Sequence, residues 1–317
     1  MEFKALFLLM VLLHSANCAA RAYKCSGNYF GDEPISADCE EINIIGGNQD
    51  EASTSKIIRQ QHGDVINLSN IPSSSYIHQN SRIVNPLTVA TPSFIDKMNN
   101  YFEGGNQQDF LHFISRWNAV EAPIKILHIG DSHVRSGIGP QVSSHVLQEK
   151  RKALIYRSRG LNGATLQGVD KVLNLESELS RFNPDLVVLD FGSNELHSRQ
   201  LALSSSLEKA MERTISRIRA VKPDVVIVFA APQDMKIKHQ RAVSVQDYTE
   251  NMRKIALDNH CLLWDWHRVA GGVGAMQSWY ANGLARADFV HLAAKGYRVK
   301  GELFANALLN TIKQYQH

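Results

Sequence analysis

From residue 124 onward, short apolar runs alternate with stretches whose apolar positions recur every three to four residues. The runs at 124–129, 153–156, 186–191, 224–229 and 261–266 predict strands. The periodic stretches at 140–150, 204–220, 245–259 and 292–315 predict helices. Strands made almost wholly of Val, Ile and Leu are buried on both faces, so the predicted class is α/β: a three-layer α/β/α sandwich with a central parallel sheet over residues 122–317. Residues 21–121 read differently, with Gly-rich and Ser-rich pieces and short β-like runs such as 64–68. Only 92–117 there has helical spacing, on Phe94, Met98, Phe102, Phe110, Phe113 and Trp117. This stretch is expected to be an N-terminal extension or a small accessory module.

The first twenty residues add a compartment. A weakly basic start, the apolar block 5–13 and the small-residue exit at Ala19-Ala20 make a secretory signal peptide, too short in its core to span a bilayer. The mature protein is therefore expected to be secreted or periplasmic, with no integral membrane segment after cleavage. In an oxidising compartment Cys25 and Cys39, close together in a turn-rich segment, are expected to form a local disulfide. Cys261, opening an apolar run, is expected as a buried thiol. The 34 basic and 31 acidic residues leave a net charge of +3 without a dense basic run, which argues against a nucleic-acid partner. No Cys spacing is that of a zinc site, and neither metal nor cofactor is expected.

In a parallel sheet, ligands bind beyond the carboxyl ends of the strands, so the residues after each run are the ones to inspect. After the first run stands Gly130-Asp131-Ser132-His133. A Ser at a strand-to-helix turn suits a nucleophile whose adduct faces backbone N–H groups, although Asp and Ser are equally good helix caps. After the second stands Gly163, able to bring a backbone N–H close to a ligand or simply to make a turn. After the third stands Gly192-Ser193-Asn194-Glu195, where the Asn194 amide is either a neutral donor for an oxyanion or a turn residue. Near the C-terminus, Asp288 precedes His291 by three positions and can fix its tautomer. Four such pieces in this order, each at a predicted strand end or helix start, point to one esterase-type site.

Those residues resemble the SGNH (GDSL-type) hydrolases, named for the Ser, Gly, Asn and His of four sequence blocks. Ser132, Gly163, Asn194 and the Asp288/His291 pair match the blocks in turn, with Glu195 standing where Asp is frequent. A narrower resemblance, carried by Trp264-Asp265-Trp266-His267, Gly271-Gly272, Trp279 and Asp288 to Leu292 with Tyr297 and Gly301, is to a bacterial exported subgroup that includes peptidoglycan O-acetylesterases. It implies a triad of Ser132, His291 and Asp288, and an oxyanion hole of the Ser132 N–H, the Gly163 N–H and the Asn194 side chain. His133, Asp234 and Trp266 are candidates for substrate contact, although Trp264 and Trp266 on one predicted strand suit core packing as well. Arg157 and Arg159 are candidates for an anionic substrate group. The expected function is an exported serine carbohydrate esterase removing O-acetyl groups from cell-wall polysaccharide, with peptidoglycan as the expected polymer. The alternatives are an O-acyltransferase on the same glycan and a lipase-like esterase of broader range.

Overall fold

The computed structural model describes residues 92–104, 107–119, 122–198, 200–236 and 243–315, together with five short strands between residues 22 and 67. The expected signal peptide over residues 1–20 and the expected Cys25–Cys39 bridge lie outside the described residues. The chain divides into two compact units, one holding residues 1–75 and 81–86, the other residues 76–80 and 87–317. In the first unit, β1 (Ala22–Cys25), β2 (Tyr29–Gly31), β3 (Glu40–Asn43), β4 (Ile57–Gln60) and β5 (Val65–Asn67) form an antiparallel sheet in the order β2-β1-β3-β4-β5.

The second unit is built on a six-stranded sheet. Its strands are β6 (Glu103–Gly104), β7 (Ile124–Gly130), β8 (Leu154–Gly160), β9 (Leu186–Asp190), β10 (Val226–Ala230) and β11 (Leu262–Trp264), in the order β6-β11-β10-β9-β7-β8. All neighbours are parallel except β6, which pairs antiparallel with β11. Helices flanking it are α1 (Gln107–Asn118), α2 (Ser132–Arg135), α3 (Ile138–Lys150), α4 (Leu175–Phe182), α5 (Ser204–Val221), α6 (Val245–Asp258), α7 (Trp266–Val269), α8 (Ala275–Ala281) and α9 (Ala294–Tyr315). This is the α/β class that the apolar runs predict.

Alternation along each strand feeds two cores. Leu127, Ile129, Val187, Leu189, Ile227 and Phe229 pack with Leu175, Leu179, Met211, Ile215 and Met252 of α4, α5 and α6. His128 and Trp264 instead meet Phe304 of α9, at ring-centroid distances of 5.5 and 5.2 Å. α9 also crosses α3, where the Ser143 hydroxyl donates to the Gly301 carbonyl at 2.8 Å. After β7 the chain adds β8 on one side and then returns to add β9 on the other. The order reverses between β7 and β9, the switch point beyond whose strand ends such sheets bind ligands.

Several boundaries differ from the sequence expectation. Residues 92–102 are not helical: Asp96 accepts the Asn99 N–H at 3.1 Å, a side-chain bond that competes with helical pairing, and Gly104 follows with a φ of 73°. Helix α1 therefore starts only at Gln107, and Met98 is exposed. The segment belongs to the α/β unit, since β6 pairs with β11 and Phe102 packs on Phe304 at 5.3 Å. The unit boundary thus falls well before residue 121. The strand expected over 153–156 continues to Gly160, and its Arg157 and Arg159 turn to the buried Glu178 at 2.6 and 3.8 Å rather than to substrate. The strand expected over 261–266 stops at Trp264, because Asp265 caps α7 by accepting the Arg268 N–H. Cys261 is a buried free thiol, pushed up to about 12 by burial.

Candidate active site

Gly130 ends β7 so tightly that a Cβ there would stand 2.4 Å from the Asp190 carbonyl. That close approach delivers the chain into α2 with Asp131 as its N-cap, accepting the His133 N–H at 2.9 Å. Ser132 is then the first residue of α2, partly exposed, with the first N–H groups of the helix beside it. Asp131 thus fills the capping role, and Ser132 stands at the helix start beside it.

His291 comes to Ser132 from the far end of the chain. Ala285 bridges Leu292, and the Arg286 N–H donates to the His291 carbonyl at 2.9 Å, which closes a loop over Asp288 and His291. Asp288 Oδ1 accepts the backbone N–H groups of Val290 and His291, each at 2.9 Å, while its Oδ2 lies 2.8 Å from His291 Nδ1. Burial raises the Asp288 pKa, but the bonds from His291 and Val290 outweigh it and hold the carboxyl below its ordinary value. An ionised Asp288 places the proton on Nδ1 and leaves the Nε2 lone pair for Ser132, whose Oγ is 3.0 Å away. Sequence reasoning selected these three residues, and the structure brings them into one hydrogen-bonded chain.

Gly163 lies in the loop after β8 with a φ of 73°, the left-handed region that glycine enters without a Cβ penalty. Asn194 lies after β9; its Nδ2 donates to the Ala164 carbonyl at 2.8 Å and approaches Asp131 Oδ2 at 3.4 Å. These contacts tie the β7, β8 and β9 loops together. Sequence reasoning did not find the residue that clamps the β8 and β9 loops. Glu195, fully buried, accepts the Leu166 N–H at 2.7 Å with one oxygen and the Gly192 N–H at 3.0 Å with the other. Burial pushes its carboxyl up to about 7. The signal was present as Glu in the place where Asp is frequent, a longer arm able to reach the neighbouring loop.

Beneath Ser132 lies a buried charge cluster. Lys300 Nζ from α9 donates to Asp190 Oδ2 at 2.8 Å, and His128 Nε2 is 3.4 Å from the same oxygen. Burial raises the Asp190 pKa, yet Lys300 and then His128 hold it well below the usual carboxylate range. Asp131, buried and facing the Asp190 charge, is pushed up to about 8.

The three candidates for substrate contact take other places. The His133 ring is buried and stacks on His291 at 5.4 Å with Tyr297 Oη 3.2 Å from its Nδ1, and burial lowers it to about 3. It backs the His291 ring as a neutral imidazole rather than facing solvent. Asp234 is buried, and its Oδ2 accepts the Met276 N–H at 3.3 Å, bracing the start of α8. Trp266 is fully buried, stacked on Trp264 at 4.9 Å. Its indole N–H donates to Gln233 Oε1 at 3.1 Å, and Gln233 Nε2 donates to the Val290 carbonyl at 2.7 Å. Trp266 therefore supports the histidine loop from behind and cannot touch substrate. Ser132 and His291 are partly exposed and Asp288 is exposed. A cavity of about 250 Å³ among the described residues is lined by Leu166, Gln167 and α5 side chains and includes neither Ser132 nor His291.

Residues 129–299 match the sequence model of the GDSL-like lipase/acylhydrolase family. Among solved structures, the chain is similar to a peptidoglycan O-acetylesterase at 16% identity and a TM-score of 0.59, covering 66% of this chain and 98% of that one. It is also similar to a catalytic mutant of Axe2, an acetylxylan esterase from Geobacillus stearothermophilus, at 17% identity and a TM-score of 0.48, covering 59% and 95%. No curated protein sequence matches it.

Proposed function

We propose that this chain, which belongs to the GDSL-like lipase/acylhydrolase family and is a serine esterase by that membership, is an exported enzyme that removes O-acetyl groups from cell-wall polysaccharide, with peptidoglycan as the polymer. The observation that carries the chemistry is the unbroken chain Ser132 Oγ, His291 Nε2, His291 Nδ1, Asp288 Oδ2, with links of 3.0 and 2.8 Å. Ser132 Oγ attacks the acetyl carbonyl as His291 Nε2 takes its proton, and Asp288 supports the imidazolium that results. The oxyanion receives the N–H groups of Ser132 and Gly163 and one N–H of Asn194. That Asn194 N–H is held in the resting site only by the 3.4 Å contact to Asp131, long enough to be exchanged for a charged oxygen. His291 then protonates the departing sugar oxygen, and water, deprotonated by the same nitrogen, releases acetate from Ser132.

Three features support the carbohydrate assignment: the export segment, the open setting of the triad, and a shared fold with an enzyme named for peptidoglycan O-acetyl groups. Acetate released by the purified protein from a panel of O-acetylated polysaccharides tests it. O-acetylated peptidoglycan is expected to be turned over fastest. A clear preference for long-chain aryl esters over every acetylated glycan would reject the reading.

A further inference from the structure

Beside the triad lies a pair of aromatic rings that the fold leaves partly open. Phe289, between Asp288 and His291, has a φ of 55°, a conformation that a bulky residue seldom holds without support. Here its N–H donates to the Arg286 carbonyl at 3.0 Å and its own carbonyl accepts the Lys236 N–H at 2.9 Å. The Lys236 ammonium stands 5.8 Å from the ring centroid. Tyr280, near the end of α8, meets the Phe289 ring at 4.8 Å and an interplanar angle of 46°, and keeps 46% of its own surface exposed. The Trp264, Trp266 and Trp279 rings, by contrast, are at most 2% exposed.

What faces this pair follows from the direction of the chemistry, and so rests on the carbohydrate-esterase reading. The oxyanion side of Ser132 is built by the loops after β8 and β9, which carry Gly163 and Asn194. The leaving oxygen must instead reach His291 Nε2 to be protonated, so the alcohol half of the ester lies toward the loop that carries His291. Phe289 is on that loop, and Tyr280 packs against it. We propose that Tyr280 and Phe289 form the subsite for the leaving sugar, with the apolar C–H face of a pyranose ring resting on the exposed aromatic surface. The ligand class is thus a glycan hydroxyl carried on a six-membered ring. Lys236 is a positioning residue that holds Phe289 in its left-handed conformation.

The test compares the full-length protein with Tyr280→Ala and Tyr280→Phe on two esters. One is a preparation of soluble O-acetylated peptidoglycan fragments; the other is ethyl acetate, whose leaving group has no ring to stack. Tyr280→Ala is expected to raise KM on the fragments about fivefold while kcat, and kcat/KM on ethyl acetate, stay within about twofold. Tyr280→Phe, which keeps the ring, is expected to retain the wild-type KM. An unchanged KM in Tyr280→Ala, or equal losses on both esters, overturns the subsite and leaves the carbohydrate-esterase reading standing. A wild-type protein that cleaves ethyl acetate but not the fragments overturns both.

Discussion

Glu195 holds the loops of Gly163 and Asn194 together from a position with no solvent contact, and the two backbone N–H groups it accepts make it a positioning residue for the proposed oxyanion hole. Its pKa is raised by burial from 4.5 to about 7, so the folded state keeps a proton that the unfolded chain has lost. This contribution to stability is complete below the unfolded value and is lost as pH rises through the folded one. Glu195→Gln cannot titrate. Thermal melts from pH 4 to 8 should therefore show a smaller fall in Tm with rising pH in the variant than in the wild type; parallel curves would contradict the assignment. In the proposed mechanism Asn194 acts one step closer to substrate. Asn194→Ala is expected to lower kcat by about 10² to 10³ with little change in KM, as the loss of one oxyanion donor requires. Steady-state kinetics with unaltered kcat would remove Asn194 from the hole.

The elements that the sequence pattern identifies are those whose signal is local. The apolar run at 186–191 becomes β9, and the periodic stretches at 204–220 and 245–259 become α5 and α6 within a residue. Misreadings arise where a side chain redirects the backbone. The apolar residues of 92–117 do have helical spacing, but the Asp96–Asn99 bond and the positive φ of Gly104 break the first half. Asp265 ends β11 and starts α7, so Trp264 and Trp266 stack across a boundary and not along one strand. Nor does periodicity reveal that α9 reaches the sheet through Lys300, since a lysine in a helix reads as a solvated position. Its pairing with Asp190 is buried on both sides. Lys300→Met would strand the Asp190 carboxylate in the core, with an expected cost of about 3–5 kcal/mol in urea unfolding. A midpoint equal to that of the wild type would mean that the pair does not anchor the helix.

Across the whole molecule, every residue proposed for the chemistry lies in the second compact unit, at one edge of one sheet. This explains why the site was legible: a parallel sheet sends the carboxyl ends of its strands to a common edge, so polar residues just past Gly130, Gly160 and Asp190 converge whatever their separation in sequence. The contacts that hold them in place were not legible, because Glu195 with Leu166, Lys300 with Asp190, and Trp266 through Gln233 with Val290 join residues with no shared local pattern. The same gap separates the candidates for substrate contact, which proved buried, from the partly open aromatic pair of Tyr280 and Phe289. Acetate release from O-acetylated peptidoglycan by the wild-type protein and by Ser132→Ala bears on all of this most directly. The wild type should release acetate and the variant should be slower by about 10⁴-fold or more; equal release by the two would contradict the serine mechanism outright.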